Sequence, residues 1–260
     1  MTAARVALDE GRLADALALQ RIAVGNQPDD GAARLFLFEL LTLAGETEDA
    51  LRELKSIRSD SPNWPASQRA FRDILRAERR RFPRLRRPEF LREPPPHLRC
   101  RWNAAFCHNR GRTELALKYL DRADGHAPEV SGFVDGREFT GLRDSDDRFA
   151  AHFEVFLGRQ YVWIPFEDVR TLRLEKPEHL LDLAFRPARL KLSDGTLHAV
   201  TLPLLYPGSS REGDDLALGE LVDWTSADQG LVCGLGARVL TFGDEELDLG
   251  SCAMLELRLG

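Results

Sequence analysis

Long apolar runs are missing from this 260-residue chain. No window approaches the roughly eighteen uninterrupted apolar residues that a membrane-spanning helix needs. The opening residues, MTAARVALDEGRL, carry acids early and have no apolar h-region, so no signal peptide is expected. A cytoplasmic protein without membrane contact follows. Cysteine is sparse: Cys100, Cys107, Cys233 and Cys252 form no CxxC pair, and that compartment disfavours disulfides. Catalytic signatures are also missing, with no P-loop, GxSxG or HExxH. Gly234 and Gly236 make half of a dinucleotide fingerprint, but the third glycine is absent and the surroundings read as strand. The expectation is a protein that is not an enzyme and uses no cofactor.

Two groups of potential metal ligands fail on spacing. His97, Cys100, Cys107 and His108 match no common zinc pattern. Asp144, Asp146 and Asp147 resemble part of a calcium loop, but the glycine and distal glutamate are lacking. No metal is expected, and the second group reads as a solvated turn that pairs with Arg148.

Acidic charge is concentrated in one half. Residues 1–138 carry 24 Lys and Arg against 21 Asp and Glu, and the remainder carries 12 against 21. Between Arg69 and Arg101, 12 Arg face only 4 acids. With a net charge of −6 and no zinc-finger or RNP-like motif, nucleic acid is not the expected partner. A solvated basic face, a surface for an acidic partner, or one for the chain's own acidic half fits better.

The first half repeats. Gly11, Gly45 and Gly111 are each followed five residues on by Ala16, Ala50 and Ala116, then by Pro28, Pro62 and Pro128. Gly11 and Gly45 are separated by the tetratricopeptide period. The wider gap from Gly45 to Gly111 leaves room for one degenerate unit. Glycine closes a helix–turn–helix, alanine lets the second helix approach closely, and proline ends the unit. The segment AARLFLFELLTLA, Ala32–Ala44, is apolar on nearly every side and should be the most buried helix. In the gap, Trp64-Pro65 opens a helix with Ala70, Phe71, Ile74 and Leu75 on one face; Pro83, Pro88 and Pro94–Pro96 then break regular structure.

At Asp144–Phe166 the period changes. Phe153, Val155 and Leu157 alternate, Gly158-Arg159 suits a two-residue hairpin turn, and Tyr161–Ile164 returns. Frequent turns then bound short strands, read at Val169–Glu175, Leu180–Phe185, Ala188–Leu192, Thr196–Leu202, Leu216–Trp224, Gly230–Val232, Ala237–Phe242 and Met254–Leu259. Pro187 should interrupt a strand or mark its end. The predicted fold class is α+β: a tetratricopeptide-like helical domain at 1–138, then a mainly antiparallel β domain at 139–260. The hairpin should join them, with Trp163 and Phe166 holding the junction.

The Asp144-x-Asp146-x-Arg148 loop, GRQYVWIPF at 158–166, Leu180–Asp182, LYPGS at 205–209 and GLGARVL at 234–240 occur in one order over the β half. In this the chain resembles the ImpE/SciE family of type VI secretion accessory proteins; it departs at Leu205, where an arginine is common, and near Phe185, where a tryptophan is. The resemblance implies a non-enzymatic accessory factor. Its implied partner is the N-terminal helix of the small sheath subunit of the contractile tail, in sheath assembly or recycling. An amphipathic helix docking in a groove would suit a helical array. Candidate contacts are Trp64, Phe71, Arg72, Trp102 and Phe106, on the divergent middle of the helical half. A general repeat-type adaptor or chaperone with another partner is the alternative.

Overall fold

A computed structural model describes residues 1–81, 86–225 and 230–259. The three Gly–Ala–Pro units fold as helix pairs. These are α1 (Ala3–Asp9) with α2 (Leu13–Asn26), α3 (Gly31–Leu43) with α4 (Thr47–Ser56), and, beyond α5 (Trp64–Arg81), α6 (Pro96–His108) with α7 (Thr113–Asp124). Gly11, Gly45 and Gly111 have φ of +75°, +70° and +67°, the left-handed backbone that closes each turn. Ala16, Ala50 and Ala116 are fully buried where paired helices cross.

The degenerate unit is half a unit. Among the described residues no second helix follows α5; Pro83 lies outside them, and Pro88 and Pro94-Pro95 fall in an extended strap until Pro96 opens α6. Within the strap, Glu89 exchanges backbone hydrogen bonds with the sheet: its N–H donates to Tyr161 at 2.8 Å, and its carbonyl accepts from Trp163 at 3.1 Å. The strap thus covers an edge strand that would otherwise be open.

The strands are β1 (Val130–Val134), β2 (Arg137–Phe139), β3 (Leu142–Asp144), β4 (His152–Leu157), β5 (Gln160–Pro165), β6 (Val169–Leu174), β7 (Phe185–Leu192) and β8 (Leu197–Pro203). After a short helix α8 (Asp214–Leu218) come β9 (Val222–Trp224), β10 (Gly234–Gly236), β11 (Val239–Phe242), β12 (Glu245–Asp248) and β13 (Met254–Leu259). Eight strands form one sheet in the order β2-β1-β13-β6-β7-β8-β4-β5, with every pairing antiparallel. Val134 and Leu257 from one end of the sheet share a core with Phe153 and Ile164 from the other, so the sheet curls around its own interior.

Several strand readings change. β structure begins at Val130, ahead of the 138/139 boundary, because β1 pairs with β13 at the far end of the chain. Leu180–Phe185 is not a strand: Leu180–Leu183 is a 3-10 turn, fixed by the Asp182 carboxylate accepting from the Glu178 and His179 N–H groups. Pro187 does not break β7; it lies just before the β6 ladder begins at Ala188. Within Leu216–Trp224, α8 occupies the start and β9 only the end, and Gly230–Val232 lies outside the strands.

The sheet joins the helices through its outer face. β4 and β5 point Phe156, Tyr161 and Trp163 into a core shared with Phe38, Leu40 and Leu75 of the helices. Trp163 sits at the junction, its ring 5.9 Å from that of Trp102, whereas Phe166 packs on Phe153 inside the sheet. α3 packs against the 180–183 turn and α5 against β5, so the β half packs directly on the array. The segment after β8 runs past the glycine turns. A Cβ at Gly45 would stand 2.3 Å from the Ser210 hydroxyl, and the Asp214 carboxylate accepts the Ala14 N–H at 3.0 Å. α2 has no side-chain cap of its own, so the β half supplies one of its first-turn acceptors.

Because one core crosses the boundary, the two halves should unfold together in denaturant, with fluorescence and circular dichroism transitions superimposing; two separated transitions would show independent halves. Glu39 on α3 gives a second check. Burial pushes its carboxyl up to about 7, partly offset by His179 and Arg5. The folded value lies above the unfolded one, so its contribution to stability is full below the unfolded value and lost as pH rises through about 7. Glu39→Gln removes that titration, so its melting temperature should rise relative to the parent between pH 4.5 and 7, the window those two values set.

Candidate functional site

The acidic loop after β3 is buried rather than solvated. Asp144 and Asp146 are 1% and 0% exposed. Asp144 Oδ1 accepts the Asp146 N–H at 2.9 Å, a local turn that sets the loop. Asp146 pairs with Arg148, as its spacing suggests, through Nε at 2.9 Å and Nη2 at 2.5 Å; its Oδ2 also accepts the Gly234 N–H at 2.8 Å. The Tyr206 hydroxyl donates to Asp144 Oδ1 at 2.9 Å and accepts the Val239 N–H at 3.1 Å. Any side chain at Gly234 would strike the Tyr206 ring at 2.4 Å, so glycine there is a condition of the contact. Ser209 Oγ donates to the Tyr206 carbonyl and accepts the Gly236 N–H, both at 2.7 Å. Stretches far apart in sequence therefore close on one another.

Behind them lies a fully buried carboxylate. Glu154 on β4 accepts Arg81 Nε at 3.1 Å to each oxygen, and hydrogen-bonds Arg238 and the Tyr161 hydroxyl. Trp163 Nε1 donates to Tyr161 at 2.6 Å. Arg81, the last residue of α5, also donates to the Leu205 carbonyl at 2.6 Å, so one guanidinium ties α5, β4 and the YPGS turn. Burial would raise Glu154, but the two guanidinium groups outweigh it and hold the carboxyl below its usual range. Asp144 fares differently: burial pushes it up to about 7, and Arg238, 3.7 Å away, offsets only part of that.

On the solvent side of this cluster a cleft of about 610 Å³ opens between the end of α5, the α3–α4 turn and the Gly208–Arg211 turn. Arg76, Arg79, Arg80 and Arg86 line one side and Glu46, Glu48 and Asp49 the other, with Leu75 and Phe185 on the floor. Arg79 bridges to Glu48 at 2.9 Å. This arrangement can hold a charged or polar segment; its buried acids and bases are already paired with one another.

The five expected contact residues divide between two helices with different neighbours. Trp64, Phe71 and Arg72 lie on α5, half-buried; Phe71 packs on Phe38 of α3 at 5.2 Å. Trp102 and Phe106 lie on α6, their rings 5.9 Å apart and tilted at 47°, with Arg110 3.7 Å above Phe106. Trp64, Phe71 and Trp102 also pack against the shared core. Of the potential ligands, His97 pairs with Glu167 at 2.6 Å and Cys107 packs in a small core with Ala116, Leu231 and Cys233. Sequence reasoning missed Glu154, Arg238 and the cleft. One signal was available: Glu154 is the one charge inside the apolar strand HFEVFL, which in a buried strand demands a partner.

The model of the ImpE protein family matches residues 136–256, and that of a tetratricopeptide repeat matches 7–72. Over 255 residues, 96% of this chain and 88% of the relative, the sequence is 31% identical to the type VI secretion system accessory component TagJ of Pseudomonas aeruginosa. The chain belongs to the ImpE family. Its fold is also that of protein VPA1032 from Vibrio parahaemolyticus, with a TM-score of 0.90, 23% identity, and coverage of 100% of this chain and 98% of the other. The ImpE match contains Asp144, Glu154, Tyr206 and Arg238; Arg81 reaches them from outside it, from the repeat half.

In this ImpE-family chain, Glu154→Gln removes the carboxylate that Arg81 and Arg238 share, leaving them only Glu78 at 3.3 Å and Asp144 at 3.7 Å. The expected loss is about 3–5 kcal/mol of unfolding free energy, read by denaturant titration. A loss below about 1 kcal/mol, the range of an exposed pair, would show the cluster to be marginal.

Proposed function

We propose that this chain is a non-enzymatic, cytoplasmic accessory protein of a type VI secretion system that binds the N-terminal helix of the small sheath subunit and serves sheath assembly or recycling. The observation that carries the reading is 31% identity to TagJ over 96% of the chain. The tetratricopeptide-like half supports a protein partner, since such arrays present side chains on rigid helices. The non-enzymatic reading is supported by the use of these buried charges: Glu154, Arg81 and Arg238 pair with one another inside the core. No helix among the described residues is long and apolar enough to cross a membrane.

With the β half packed on the array, the helical partner docks on the outward part of α5, where Trp64 and Phe71 stay half-exposed on the same helix as Arg72, and on that of α6, where Trp102 and Phe106 do. Capture of the small sheath subunit by the full chain tests this. Binding should require the subunit's N-terminal helix, and Arg72→Glu should weaken capture about tenfold with at most a small fall in the melting temperature, since Arg72 is half-buried but makes no ion pair among the described residues. Equal capture without that helix would overturn the mechanism.

A further inference from the structure

Arg69, Arg72, Arg76, Arg79 and Arg80 recur at spacings of three and four, so they share one stripe of α5. At the rise of an α-helix the stripe is about 16 Å long. It runs into the cleft, where Arg86 and Arg211 join it. Its charge is only partly answered. Arg79 meets Glu48 at 2.9 Å and Arg80 meets Glu89 at 3.0 Å, but Arg76 reaches Asp73 only at 3.8 Å. Among the described residues, Arg69, Arg72 and Arg86 have no ion-pair partner, and the buried Arg80 Nε has no hydrogen-bond partner. This stands on a chain whose net charge is −6, so the stripe runs against the overall balance.

The opposite wall decides what fits. Glu46, Glu48 and Asp49 line it. A nucleic-acid backbone, negative at every step, would meet these carboxylates as well as the guanidinium groups. A peptide differs, because its carboxylates are separated by neutral residues and its backbone N–H groups can face an acidic wall. Guanidinium forks also match carboxylate geometry, two donors to two oxygens. We propose that the α5 stripe and the cleft dock an acidic peptide segment of a protein partner, its carboxylates on Arg72, Arg76, Arg80 and Arg86 and its backbone toward Glu46–Asp49. The proposal rests on the reading of the chain as a docking protein, and not on the sheath subunit being its partner.

Fluorescence anisotropy with the full chain tests it, using a labelled peptide of alternating glutamate and glycine, which does not form a helix, beside the same peptide with glutamine for glutamate. The glutamate peptide should bind about tenfold tighter or more, the sum expected of a few exposed pairs, and weaken as salt rises. Arg76→Glu with Arg86→Glu should abolish the preference; both side chains are exposed, so the melting temperature should hold. Arg170→Glu, an equal charge change on exposed β6, should leave binding unchanged. Equal binding of the glutamine peptide, or an unaffected double variant, would overturn the proposal. So would tighter binding of an oligothymidylate, or displacement of the peptide by millimolar inorganic phosphate. Loss of sheath-subunit capture with glutamate-peptide binding intact would remove the named partner and leave the cleft standing.

Discussion

Glu154 has no exposure, and two guanidinium groups from opposite directions neutralise it. Arg81 comes from the end of α5 and Arg238 from the stretch before β11, so the carboxylate can be buried only when the helical half and the β half are both in place. A buried charge missing its partner costs several kcal/mol, and this makes the junction all-or-none. Around it, Tyr161 and Trp163 extend the hydrogen bonds, and the Phe149 and Tyr206 rings lie against Arg238. The position of α5 follows from this contact, and with it the stripe of arginines that α5 carries.

The same constraint explains why the helical half is not a free array. Tetratricopeptide-like pairs usually present a concave side to a partner. Here the helices instead share a core with Leu181, Ala184 and Phe185 of the β half. The missing second helix of the degenerate unit is what admits the sheet: the strap at Glu89 adds to β5, and Trp163 packs between α6 and the buried cluster. Recognition is left to the outward parts of α5 and α6 and to the cleft.

Much of the architecture was legible because its causes are local. The Gly11, Gly45 and Gly111 turns need a positive φ, and the buried Ala16, Ala50 and Ala116 need a small side chain; both leave marks at fixed spacing. The hairpin turn at Gly158 was readable for the same reason. β1 was not, since its partner is β13 at the far end of the chain. The turn at Leu180–Leu183 was mistaken for a strand because apolar residues in a short run fit either, and only the Asp182 bonds decide. Of the candidate site, the aromatic and arginine residues of α5 and α6 could be named, but not that they fall into two groups.

The sequence by itself determined the repeat, the change to antiparallel β structure, and the motifs that mark the ImpE half, since each is set by backbone conformation or side-chain period within a short window. Only the tertiary structure decided where the acids of the Asp144–Asp147 loop go, which arginines of the basic run are consumed by Glu154 and which stay open to solvent. Charge count is the same in either case. What separates a buried ion pair from a docking surface is the distance to a countercharge on a distant part of the chain, and no local spacing encodes that distance.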